Sequence, residues 1–151
     1  MPLLHVAHGD WVLVGDGKKA LFLTNEGDPD LLNLRALSVR VQTSASDHEQ
    51  GADRPGRTFT SMSHARSSYE QTDWHELDEM RFAHDIAAQI NRAAQDGLFK
   101  KIILIAPPKT LGELRDKISP EAHKHIRAEI NKDLTKHSIP EIERLLRMYE
   151  V

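Results

Sequence analysis

Cysteine is absent from the 151 residues, which excludes thiol catalysis, thiolate metal ligation and disulfide staples together. No stretch approaches the roughly 18–20 apolar residues a bilayer-spanning helix needs. The N-terminal MPLLHVAHGDW has no basic region, a broken apolar run and no small-residue cleavage pattern, so it does not read as a secretion signal. Together these absences predict a cytoplasmic protein without a membrane partner. Excess positive charge is also missing. The formal net charge is −3 and the isoelectric point is near 6.3, which argues against a globally basic nucleic-acid binder but leaves room for a local basic patch. No P-loop, dinucleotide glycine pattern, HExxH or GxSxG elbow occurs, so no cofactor is expected.

What is present reads first as architecture. Ile102–Ala106 is a five-residue apolar run, stopped by Pro107 and Pro108 and followed by a helix-starting pattern. That is the pattern of a strand buried on both faces and turning tightly into a helix. Ligands tend to bind where such strands end in α/β sheets. A chain of this length suits one domain and buries about 70% of its unfolded surface, enough to fold without a metal. The mean hydropathy of −0.51 fits a normal core diluted by a polar insertion.

Trp11–Gly15 and Ala20–Thr24 are β-prone runs around Asp16-Gly17-Lys18-Lys19, a strong hairpin signal. A third strand is predicted within Leu31–Thr43, with Leu37, Val39 and Val41 facing the core. Residues 44–72, rich in Ser, Thr, Gly and Pro, read as a mobile or functional loop. A long helix is predicted from an Asp73/Glu76 capping box through Leu77, Met80, Ala83, Ile86, Ala87, Ile90, Ala93 and Ala94 to a terminating Gly97. A short helix should begin near Thr110 with Glu113 as capping partner, and another at Ser119-Pro120. Ile126–Leu134 is ambiguous but alternates like a strand, and Ser138 opens a last helix striped by Ile142, Leu145, Leu146 and Tyr149. The predicted order is β-β-β-α-β-α-α-β-α, an α/β (α+β) mixed sheet in the chain order of the ribonuclease-H-like fold, as a single domain over residues 1–151.

Four ordered motifs carry a resemblance. They are Trp11–Val14, Arg54-Pro55-Gly56-Arg57-Thr58-Phe59, Ile105–Pro108 with Leu111–Arg115, and Lys132-Asp133-Leu134-Thr135. In these the chain resembles the bacterial host-attachment protein family, itself similar to the middle domain of archaeal and eukaryotic peptide-chain release factors. The resemblance implies a ribonuclease-H-like fold and either contact with the ribosome or a role in attachment to host cells. The Gly-Gly-Gln tip of release factors does not occur here, which argues against peptidyl-tRNA hydrolysis by that route.

Three chemical readings follow. Arg54, Gly56, Arg57, Phe59, His64 and Arg66 make a candidate RNA- or anion-binding loop, because arginine forks match phosphate and an aromatic ring can stack on a base. A solvated loop explains the same residues. Lys109, at a helix N-terminus behind the central strand, is a candidate to assist them, although two prolines there also serve simply to end the strand. Asp10, Asp16, Glu129 and Asp133 lie at or near strand ends, and Asp16 and Asp133 in particular suggest a metal-dependent hydrolase as an alternative. The leading expectation is a non-enzymatic binding protein for RNA or the ribosome, with a protein-interaction or attachment role second. Nothing in the sequence sets the oligomeric state.

Overall fold

A computed structural model describes residues 2–42 and 67–151, with side chains of the long helix described from His75 onward. The elements are β1 (Trp11–Gly15), β2 (Lys19–Asn25), β3 (Leu34–Val41), α1 (Ser67–Gln95), β4 (Ile102–Ala106), α2 (Pro108–Lys117), α3 (Pro120–His123), β5 (Ile126–Asn131) and α4 (Ile139–Met148). This is the order the sequence predicts. The strands form one mixed sheet in the spatial order β3-β2-β1-β4-β5. The β1–β2 and β2–β3 pairs are antiparallel, while β4 runs parallel to both β1 and β5.

Every residue of β4 is buried, as its unbroken apolar run requires of a strand covered on both faces. Period-two alternation divides its side chains between two cores. Ile102, Leu104 and Ala106 join Leu13 and Phe22 beneath α1, α2 and α3, where Ala83, Ile86, Ile90, Leu111, Leu114 and Ala122 close over them. Ile103 and Ile105 join Val12, Val14, Leu23 and Ile130 on the opposite face, beneath Ile142 and Leu146 of α4. Leu4 and Val6 complete that second core. The amino-terminal segment is tied in by the Leu4 amide, which donates to Tyr149 O at 2.8 Å. Among the described residues no helix is long and apolar enough to cross a membrane.

Four local expectations need correction. Leu37, Val39 and Val41 do not face the core; they are 47%, 52% and 67% exposed. Val39 pairs with Leu21 and shares its face. But β3 is an edge strand, and α4 reaches only its beginning, where Glu143 Oε2 accepts from the Leu34 amide at 2.7 Å. Leu37 itself is the extra residue of a bulge opposite Phe22 and Leu23.

The long helix begins at Ser67, not at an Asp73 cap, so residues 67–72 belong to it rather than to the loop. Its inward face at that end uses Asp78 and Phe82, leaving Leu77 and Met80 half exposed. The helix does end as expected. Gly97 has φ +69, its amide donates to Ala94 O at 3.1 Å, and Leu98 N donates to Ala93 O at 3.0 Å, which is a Schellman closure.

Helix α2 starts at Pro108 rather than Thr110, and Pro107 caps it without any side-chain hydrogen bond, so Glu113 has no capping role. Two prolines with fixed φ make the turn without that help. The ambiguous segment is a strand, ending at Asn131 rather than Leu134.

Candidate functional site

Because β1, β4 and β5 are parallel, their carboxyl ends open on the same edge of the sheet, and the side chains with chemistry gather there. β1 ends in the Asp16-Gly17 turn. Asp16 Oδ1 accepts from the Lys18 and Lys19 amides, both at 2.8 Å, an Asx arrangement that builds the hairpin from one carboxylate oxygen. Gly17 sits under α1 so closely that an added Cβ would come within 2.8 Å of Glu79 Cδ. Glu79 in turn lies 3.5 Å from Lys109 Nζ, which stands just after the end of β4.

The chain leaving β5 closes the cluster. Thr135 Oγ1 shares its proton between Asp133 Oδ1 at 2.8 Å and Asp16 Oδ2 at 3.2 Å. Asp16 and Asp133 therefore do converge. The other two acids do not. Asp10 is buried at the amino end of β1, where Oδ2 accepts from the Ala7 amide at 2.9 Å and from Arg127. Glu129 is bound by Arg115, and this pairing raises the guanidinium further above its already high range. Among the described residues no group of three or more histidine or acidic side chains is placed to hold a metal ion. Three of the described histidines serve structure: His8 and His125 Nδ1 donate to Gly27 O and Lys100 O, and His123 Nε2 to Arg115 O.

Lys109 is exposed and its helix N-terminus has neither an acidic residue in the first turn nor a side-chain cap, a setting that suits an anion. Glu79 competes for the ammonium group, but an exposed pair of this kind is worth only about 0–1 kcal/mol. Arg54, Gly56, Arg57, Phe59, His64 and Arg66 lie outside the described residues. Their segment follows Gln42, whose amide donates to Lys18 O at 2.7 Å and whose Nε2 donates to Gly17 O at 3.0 Å. Gln42 itself thus sits at the same end of the sheet as Asp16 and Lys109.

Sequence reasoning missed Glu79 and Thr135. Glu79 looks like any polar residue on a helix, and only the glycine of the Asp-Gly turn hints at close approach. Thr135 was legible only as part of the Lys132–Thr135 motif, without a role.

Comparison with known proteins places the chain among release-factor relatives. A family model described as bacterial archaeo-eukaryotic release factor family 12 matches residues 10–146. The uncharacterized protein RP470 of Rickettsia prowazekii (strain Madrid E) is 23% identical over 120 residues, covering 72% of this chain and 80% of that protein. Among solved structures, the archaeal translation termination factor aRF1 aligns with a TM-score of 0.49 at 10% identity, over 91% of this chain. The chain spans only 35% of that factor's length.

Proposed function

Since the chain belongs to bacterial archaeo-eukaryotic release factor family 12, we propose that it is a non-enzymatic, cytoplasmic domain that associates with RNA or the ribosome. The observation that carries this reading is the exposed Lys109 at a helix N-terminus that has no side-chain cap. Gln42 is clamped to the β1–β2 turn at that edge, and Arg54 and Arg57 follow it in the sequence. Arginine forks and an uncapped helix N-terminus are both suited to phosphate oxygens. Catalysis is not part of the proposal. No Gly-Gly-Gln occurs, and two of the four strand-end acids are neutralised by Arg127 and Arg115.

The test is co-sedimentation with ribosomes from lysate at low salt, comparing the native chain with Arg54→Ala/Arg57→Ala. Binding should weaken several-fold, with the salt dependence reduced by about one counterion per lost phosphate contact. Unchanged sedimentation discards the reading. Host-cell attachment predicts a different outcome: no RNase-sensitive partners, and cleavage of the protein when intact cells are treated with protease.

A further inference from the structure

On the sheet face opposite α1, a groove of about 430 Å³ runs between the chain leaving β5 and the outer side of α4. That volume is within the range of small-ligand sites. Its lining combines two features. Lys132 and Arg144 are exposed and supply positive charge, while Tyr149 and Leu145 supply an apolar floor. We infer that this groove binds a nucleotide, its phosphate held by Lys132 and Arg144 and its base stacked on Tyr149.

Among ion pairs between described residues, neither Lys132 nor Arg144 takes part. The acid in the lining, Glu141, is already engaged. Its Oε1 accepts from the Ser138 amide at 2.8 Å and from Ser138 Oγ at 3.2 Å. Arg144 also faces the Glu141 charge, so Lys132 and Arg144 against Glu141 leave the lining with a net positive charge.

Tyr149 is built as a platform. Its side chain packs against the core beneath α4 and also lines the groove. Its backbone is pinned at both groups: the amide donates to Leu146 O at 3.3 Å, and the carbonyl accepts from Leu4 N at 2.8 Å. A ring seated on the core on one side and open on the other loses little freedom when a base stacks on it. Leu145 is seated in the same way. A bare phosphate would use only the charged half of this lining, and an apolar ligand only the floor. A phosphorylated base uses both.

The inference does not depend on the Arg54–Arg57 segment, and the experiment keeps the two apart. Adenosine 5′-monophosphate, adenosine, inorganic phosphate and a five-residue oligoadenylate are titrated into the full chain by calorimetry. The monophosphate should bind more tightly than adenosine or phosphate alone. Lys132→Glu and Arg144→Glu should each weaken it about tenfold or more, as loss and reversal of a phosphate contact predict. Tyr149→Ala should weaken it roughly 5- to 150-fold, the range of a lost stacking contact, and Tyr149→Phe should bind like the native chain. Because Tyr149→Phe and the charge reversals leave the core contact in place, the inference stays testable if Tyr149→Ala fails to fold. Tighter binding of oligoadenylate identifies an RNA strand as the source of the nucleotide; equal binding identifies free nucleotide. Arg54→Ala/Arg57→Ala should leave monophosphate binding intact. Loss of binding in that variant, indifference to Arg144→Glu, or equal binding of phosphate and monophosphate overturns the assignment.

Discussion

Arg127 grips Asp10 with two nitrogens on a single oxygen: Nε lies 3.1 Å and Nη2 2.9 Å from Asp10 Oδ2. The two residues are 117 positions apart, so the contact ties the edge strand β5 to the start of the central β1. Asp10 is almost fully buried and also accepts from the Ala7 amide at 2.9 Å. Removing the arginine leaves a buried carboxylate with one backbone donor.

Arg127→Ala is accordingly expected to destabilise the fold by about 2 kcal/mol, toward the low side of a broken buried pair because the guanidinium is partly wet. Urea denaturation of the variant measures this. A loss indistinguishable from zero would mean that water replaces the arginine at no cost.

The second expectation contrasts two strands. Ile103 is fully buried at the centre of the sheet, and Ile103→Ala should cost about 2–5 kcal/mol from lost transfer energy and the cavity left behind. Val39→Thr, on the exposed edge strand, should change stability by no more than about 0.5 kcal/mol. Measuring both under the same denaturant conditions tests the correction made to β3.

Gly27 lies where the chain folds back after β2. A Cβ added there collides with the Leu31 carbonyl oxygen and approaches Asn33 N to 3.0 Å. Both are backbone atoms, so neither can swing away. Gly27→Ala should destabilise by about 1–3 kcal/mol, visible as a lowered Tm.

The capping box of α4 gives a pH-dependent expectation. Hydrogen bonds from the Ser138 backbone and then its side chain hold the Glu141 carboxyl below its ordinary value of 4.5. A lowered folded-state value stabilises the fold at pH above 4.5, and this contribution disappears as the pH falls through the lowered value. Ser138→Ala should cost about 1 kcal/mol at neutral pH and should flatten the acid limb of the stability curve. Denaturation midpoints between pH 3 and pH 7 (roughly the span of the linkage) show whether it does.

Local chemistry made much of this fold legible before any coordinates. The run Ile102–Ala106 between charge and proline admitted only a doubly covered strand. Asp16-Gly17 marked the hairpin, and Ser119, Ser138 and Gly97 marked helix ends, because each of those signals acts over a few residues through its own backbone. The site was less legible. Asp16 and Asp133 stood out as strand-end acids, but so did Asp10 and Glu129, and only the arginines opposite them separate the two pairs.

What the sequence determined by itself was therefore the list of elements, their order and the two-faced burial of β4, since propensity, capping and period-two alternation are short-range. Only the tertiary structure decided that β3 lies at an edge with Val39 and Val41 uncovered, that Thr135 joins Asp16 across 119 positions, and that Tyr149 floors a cationic groove. Alternation tells which residues share a face. It does not tell whether another element reaches that face, because that depends on where distant segments come to rest.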